Sequence, residues 1–173
     1  SELDCVQRSR SGREAESAYR MGRDLPPRAV PYGRDAVLAA FASLHPAIEV
    51  VDTRLQAFPD IDRRWQIADN SANGGFVYGP GVAAWRGIDV SRLAAILSID
   101  GKVEVSTTGG NRAVDLVRLL VWLANHRSAQ GAGLKAGDFV TTGSYTGLIF
   151  THAGARVRAE FPGVGAVELI FAA

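Results

Sequence analysis

Cysteine is almost absent from this chain: Cys5 is the single one among 173 residues. One cysteine closes no internal disulfide and builds no cysteine-based zinc site. It points to a reducing compartment, with the cytoplasm as the expected location. Charge of one sign is lacking too. Nineteen basic residues against eighteen acidic ones leave a formal charge of +1. That balance supplies no field to gather a phosphate backbone and excludes a dedicated nucleic-acid binder. Long apolar runs are also missing. Nothing approaches the ~20 consecutive apolar residues that span a bilayer, and Arg118 interrupts the most apolar stretch, Leu116 to Ala124. Ser1-Glu2-Leu3-Asp4 opens without a basic segment leading into an apolar one, so neither a signal peptide nor a membrane partner is expected.

Several catalytic signatures are likewise absent. No phosphate-cradling loop ends in Gly-Lys-Ser/Thr. Gly143-Ser144-Tyr145-Thr146-Gly147 places tyrosine where a nucleophile elbow needs serine. Gly79, Gly81 and Ala84 imitate a dinucleotide fingerprint, but Pro80 sits inside the turn and Gly87 breaks the helix that should follow. His45, His126 and His152 are too widely spaced for a zinc site and read as surface or cap histidines. Trp65, Trp85 and Trp122 read as core or interface packing.

What is present describes one globular domain. Apolar residues make up 47% and charged residues 21%, and a chain of this length buries roughly 70% of its unfolded surface. Residues 1–13, with Arg8, Arg10 and Arg13 among small polar residues, read as a linker or frayed start, and 14–173 as a single domain. Glu14 to Met21 is a possible strand despite its poor strand formers. Arg34 to Leu44 predicts a helix capped by Asp35, and Ala47 to Asp52 a buried strand. Phe76 to Tyr78 continues as strand. Leu93 to Ile99, Asp100-Gly101 and Lys102 to Ser106 form a hairpin signal, because Asp-Gly takes the positive φ of a tight turn. Asn111 to His126 is the clearest helix, with Val114, Val117, Leu120, Val121 and Ala124 on one side. Phe139 to Thr142, Arg156 to Phe161 and Ala166 to Phe171 read as strands. Strands outnumber helices without alternating with them, which predicts an α+β, mainly β fold, antiparallel or mixed, with a few packed helices.

Four groups of residues carry possible chemistry. Glu14 and Glu16, two apart on a strand, place both carboxylates on one face, roughly 6–7 Å apart. That is either a solvated face or a pair of oxygen ligands for a hard divalent cation. Glu49 lies within Ala47-Ile48-Glu49-Val50-Val51, where a lone charge must be paired, protonated or metal-bound. Arg54 is its candidate ion partner, and Asp52 either shares Arg54 or caps a turn. Asp69-Asn70-Ser71-Ala72-Asn73-Gly74-Gly75 and Thr141-Thr142-Gly143-Ser144-Tyr145-Thr146-Gly147 gather small hydrogen-bonding groups with glycine. Each is either a plain turn or a loop that approaches a ligand closely. Lys135 reads as a solvated loop lysine.

Taken in order, Glu14-Ala15-Glu16, His45-Pro46-Ala47-Ile48-Glu49-Val50-Val51-Asp52-Thr53-Arg54, Ala68-Asp69-Asn70-Ser71, Leu123-Ala124-Asn125, Leu134-Lys135-Ala136-Gly137-Asp138 and Thr142-Gly143-Ser144 resemble the 2-keto-4-pentenoate hydratase family of the fumarylacetoacetate hydrolase superfamily. The resemblance implies a mixed β roll or barrel-like fold of the fumarylacetoacetase C-terminal-domain type. It implies Mg²⁺ or Mn²⁺ held by Glu14, Glu16 and Glu49, and a homo-oligomer that associates in some cases with a pathway decarboxylase. The expected reaction adds water to a 2-hydroxy-2,4-dienoate, giving a 4-hydroxy-2-oxo acid, in meta-cleavage degradation of aromatic compounds. The alternatives on the same scaffold are 4-oxalocrotonate-type decarboxylation and acylpyruvate hydrolysis, or a catalytically impaired truncated homologue. Asp69 and Lys135 are then the catalytic candidates, and Asn70, Ser71, Thr142, Gly143 and Ser144 would bind substrate. The family's N-terminal region, which carries a catalytic lysine, has no match before Glu14.

Overall fold

The computed structural model describes residues 2–3, 11–55, 58–113 and 115–172. Cys5, Arg8, Arg10 and Val114 lie outside these, as does most of the expected linker. Two five-stranded sheets stack face to face. In the first, the order is β1 (Glu2–Leu3), β10 (Gly165–Phe171), β9 (Arg156–Phe161), β5 (Ala94–Ile99), β6 (Lys102–Thr108). In the second it is β4 (Asn73–Tyr78), β3 (Phe41–Val51), β2 (Ser11–Met21), β7 (Phe139–Ser144), with β8 (Ile149–Thr151) also paired to β2. Among the described residues, all strand pairings are antiparallel except that of β1 with β10. Helices α1 (Arg34–Leu38), α2 (Arg63–Ala68) and α3 (Leu116–Ala129), with short 3-10 turns at Asn70–Ala72, Trp85–Gly87 and Val90–Arg92, complete the described elements. None of the described helices is long and apolar enough to cross a membrane.

The core lies between the sheets and follows strand alternation. Ala15, Tyr19 and Met21 from β2 meet Ile48 and Val50 from β3, and on the facing sheet Leu97, Val157, Ala159, Phe161, Val167 and Leu169. The rings of Tyr145 and Phe161 meet edge to face at 5.4 Å between centroids, a favoured aromatic arrangement. The Asp-Gly hairpin is as expected: Asp100 and Gly101 have φ of 50° and 81° between β5 and β6.

Four expectations need correction. The expected helix over Arg34 to Leu44 stops at Leu38, and Phe41 begins β3. A ten-pair ladder with β2 and the burial of Phe41 and Leu44 override helix propensity, which is a weak prior against tertiary pairing. Asp35 makes no side-chain cap; Gly33 occupies that position. The long helix begins at Leu116, five residues late, because Asp115 accepts a hydrogen bond from the Arg118 amide and starts it there. Its buried stripe is Leu116, Leu120, Ala124 and Ser128. Strand β2 begins at Ser11, so Ser11, Gly12 and Arg13 belong to the sheet rather than to a linker. Arg13 is buried, with its guanidinium 3.5 Å from the centroid of the Phe171 ring.

His45 is not a surface histidine; it is 9% exposed. Its Nδ1 lies 2.8 Å from the Gly79 carbonyl oxygen, which can only accept, so Nδ1 carries the proton. Nε2 is hydrogen-bonded to the Ser43 hydroxyl at 2.8 Å. A Cβ on Gly81 would lie 2.4 Å from the His45 ring. Gly81→Ala is therefore expected to lose about 1–3 kcal/mol of stability in urea unfolding, the usual consequence of overpacking. Of the tryptophans, Trp85 is core, whereas Trp65 and Trp122 are exposed.

Candidate metal centre

Strand pairing brings together three acidic residues far apart in the chain. On β2, Glu14 and Glu16 point to the same outer face. On β3, Glu49 is directly opposite Glu14, and Ala47 is opposite Glu16. One oxygen from each of Glu14, Glu16 and Glu49 lies within 4.8 Å of the others. Glu16 is 2% exposed and its Oε2 has no hydrogen-bond partner; Glu14 and Glu49 are half-buried.

The electrostatics of this cluster are unfavourable on their own. Burial, the Glu49 charge and the Glu14 charge together push the Glu16 carboxyl up to about 8, with the Thr141 hydroxyl partly opposing them. Burial and Glu49 also raise Glu14, while Arg112 acts in the other direction. Glu49 is not paired with Arg54, contrary to the candidate ion pair. Its Oε1 accepts from Asn73 Nδ2 at 2.7 Å instead. Three oxygen donors, one of them buried and unpartnered, with no arginine or lysine salt-bridged to any of them among the described residues, fit a hard divalent cation.

Asp69 shares a depression with Asn73, whose amide bonds Glu49, and its own carboxylate is fully engaged. It accepts from the Thr53 hydroxyl, the Arg54 amide and Arg54 Nε. These donors hold its carboxyl below the usual carboxylate range. The Arg54 side chain, tethered at one nitrogen, remains 66% exposed. Asp52, Arg54, Asp69, Asn70, Asn73 and Gly74 line an open depression of about 410 Å³. Gly74 is required here, since a Cβ would lie 2.6 Å from that of Asp52. Asn70 and Ser71 adopt left-handed backbone, with φ of 53° and 54°, a strain that concentrates at functional loops. Asn73, missed as a site residue, joins this depression to Glu49.

Strand β7 closes the other side. Ser144 is opposite Glu16, and a register shift follows between Glu16 and Ala18. Such a bulge re-aims side chains. Here it frees the carbonyls of Thr142 and Gly143, which accept from Asn111 Nδ2 at 3.2 and 2.9 Å. Gly143 has φ of 98° and the Thr142 hydroxyl is buried without a partner. Lys135 is not brought to the site. Its neighbours Gly137 and Asp138 bond to Met21, five residues along β2 from Glu16, or about 17 Å at the usual strand rise. Its Nζ lies 3.8 Å from Asp24, and the side chain is solvated, as the loop reading had it.

A second feature was not anticipated. Phe76 is opposite Glu49, and Tyr78 is opposite Ala47. Phe139 comes from the far edge on β7. The Tyr78 and Phe139 rings meet at 4.1 Å between centroids, with His45 at 5.7 and 5.1 Å from them. The alternation Phe76-Val77-Tyr78 was the available signal.

A carboxylate triad on paired strands of a two-sheet, mainly antiparallel fold defines the class: the chain belongs to the fumarylacetoacetate (FAA) hydrolase C-terminal family, which it matches over residues 4–170. Among its relatives are a 4-oxalocrotonate decarboxylase of Pseudomonas sp, 32% identical over 161 residues, and a 2-keto-4-pentenoate hydratase of Burkholderia vietnamiensis strain G4, 32% identical over 160. These alignments cover 90% and 91% of this chain but 58% and 59% of the relatives. The chain thus spans somewhat under three-fifths of their length. The 4-oxalocrotonate decarboxylase from Pseudomonas putida G7, solved with magnesium and adipate, superposes with a TM-score of 0.83 at 25% identity, covering 98% of this chain and 64% of that one. The same enzyme has also been solved with calcium and acetate.

Proposed function

We propose that this chain carries the metal-binding half of a lyase site that adds water to a 2-hydroxy-2,4-dienoate, giving a 4-hydroxy-2-oxo acid. The observation that carries the reading is the meeting of Glu14, Glu16 and Glu49 within 4.8 Å. Their oxygens would hold Mg²⁺ or Mn²⁺. When bound, such an ion supplies Lewis acidity toward the carboxylate and 2-oxo oxygens of the substrate. The relatives named as hydratases, and the magnesium and calcium complexes of the superposing decarboxylase, support this choice.

The chain's own residues divide the remaining work. Asp69 acts as a positioning residue: ionised and saturated with donors, it aims the Arg54 guanidinium over the depression, where that cation binds a carboxylate. It therefore serves as an anchor rather than a proton donor. Asn70 and Asn73 offer amide groups along the same wall, and Ser71 shapes the turn. The bulge at Gly143 and Ser144 sits beside Glu16 and borders the bound acid, whereas the Thr142 hydroxyl is buried out of its reach.

The test is turnover of a 2-hydroxy-2,4-dienoate followed by loss of its ultraviolet absorbance. Turnover should require Mg²⁺ or Mn²⁺ and vanish in EDTA. The decarboxylase relatives give the alternative a specific basis: CO₂ released from 4-oxalocrotonate without loss of the dienoate would establish that reaction instead. No turnover of either substrate, with metal binding retained in calorimetry, would identify a binding-competent but catalytically impaired chain.

A further inference from the structure

We propose that Asn111 is a positioning residue for the metal centre: its side-chain amide holds the Gly143–Ser144 bulge of β7 in the shape that keeps it beside Glu16. The inference rests on the metal reading above and adds to it a residue that acts on the site through β7 rather than by touching the ion.

The bulge creates a need that the sheet does not meet. Ser144 is opposite Glu16 and Thr141 is opposite Ala18, so Ser17 alone on β2 faces two residues, Thr142 and Gly143. A bulge leaves its extra residue outside the ladder. Past it the strands rejoin, where the Tyr145 amide donates to the Ala15 carbonyl at 2.9 Å. Gly143 carries a φ of 98°, and the carbonyls of Thr142 and Gly143 converge on one nitrogen, Asn111 Nδ2, at 3.2 and 2.9 Å. Removing that donor leaves two carbonyls to find other partners, which is costly in a half-buried place. A Cβ on Gly143 would meet only Asn111 Nδ2, at 3.9 Å, among the described residues. Crowding therefore does not fix this backbone; the two hydrogen bonds do.

Asn111 is itself held from behind. Its Oδ1 accepts from the Ala113 amide at 2.9 Å, a local turn of the kind asparagine makes with its own backbone. Gly110 approaches the end of the bulge so closely that a Cβ there would lie 2.2 Å from the Tyr145 carbonyl oxygen. The Gly109 amide donates to the Leu93 carbonyl at 3.0 Å, so the segment leaving β6 is seated before Asn111 begins. The two ends of the side chain then have separate tasks: the acceptor keeps its own turn, and the donor holds β7. What β7 carries there belongs to the site. Ser144 lies across from Glu16, and the Thr141 hydroxyl, adjoining the bulge, acts on the Glu16 carboxyl.

The test is calorimetric binding of Mn²⁺, and of pyruvate to the Mn²⁺-saturated protein, in the parent, Asn111→Asp, Asn111→Ala, Gly143→Ala and the double variant Asn111→Ala/Gly143→Ala. Asn111→Asp keeps the acceptor for Ala113 and removes the donor to the bulge; Asn111→Ala removes both and adds no charge. Each should weaken pyruvate binding about tenfold, the scale of two neutral hydrogen bonds, with circular dichroism unchanged and Mn²⁺ still bound. Gly143→Ala has room for its methyl but is strained at this φ, and should cause a comparable loss. The double variant should be no worse than the poorer single one, because both changes act on one bulge. Unchanged pyruvate affinity in Asn111→Asp, even with a lower melting temperature, would make Asn111 purely structural and overturn the proposal. So would additive losses in the double variant, a loss in Asn111→Asp that Asn111→Ala does not share, or collapse of the fold in Asn111→Asp; each of these leaves the metal reading standing. Failure of the parent to bind Mn²⁺ or pyruvate overturns the metal reading, and the role of Asn111 falls with it.

Discussion

Glu49→Gln should lower the affinity for Mg²⁺ and for Mn²⁺ by about a hundredfold or more, or at least ~2.7 kcal/mol, in isothermal titration calorimetry. The substitution is nearly isosteric, and a glutamine carbonyl can still accept from Asn73 Nδ2, the bond that now orients the side chain. The β2–β3 ladder does not involve the side chain, so circular dichroism should be unchanged. What is lost is one of three anionic donors within 4.8 Å. The same change removes a charge that raises both Glu14 and Glu16. The metal-free variant should therefore melt higher than the metal-free parent, while the metal-loaded variant melts lower. That opposite pair of shifts separates a ligand from a structural carboxylate, since a purely structural Glu49 would lower both. Unchanged affinity would show that the three carboxylates do not act as one site.

The sequence made the chemistry more legible than the architecture around it. Glu-x-Glu on a strand necessarily shares a face, and a glutamate within Ala-Ile-Glu-Val-Val needs a partner; both follow from elementary rules. What those rules do not contain is register. Only the pairing of Glu14 with Glu49 turns two local observations into one centre, and pairing depends on contacts distant in sequence. The same gap explains the misplaced helix at Arg34 to Leu44. Its apolar spacing suits either period, and the choice was made by β2, twenty residues upstream. Asp69 shows a different limit. The family resemblance implies a catalytic role for it, but Thr53 and Arg54 donate to both its oxygens, an arrangement that ties the residues after β3 to the loop after α2. Lys135 was proposed on motif order alone, and the end of β2 at which its loop docks was invisible to that reasoning. The contact between the Tyr78 and Phe139 rings joins strands that are not neighbours in the sheet, a purely tertiary feature.

In EDTA, the melting temperature should fall steadily as pH rises from about 5 to about 8. The sign follows from proton binding. In the folded state the Glu16 carboxyl is pushed up to about 8, whereas in the unfolded chain it returns to about 4.3. Between those values the folded protein binds the extra proton, so stability is lost as pH rises, at no more than about 1.4 kcal/mol per pH unit for one group. Glu14, raised by burial and by Glu49, adds to the same slope. His152, raised by the Ala153 carbonyl and Asp100, also contributes stability that disappears as pH increases, but it is exposed and its share is small. Asp62, Asp69 and Asp89 are all lowered, so they act below this window. Glu16→Gln should remove most of the slope and stabilise the metal-free protein near pH 8. Saturating Mg²⁺ should reverse the trend, because the ion competes with the proton for the same oxygens and its affinity rises with pH until Glu16 is fully ionised. A flat metal-free profile, or a Mg²⁺ affinity independent of pH between 6 and 8, would mean that the buried carboxylate neither holds the proton nor yields it to the metal.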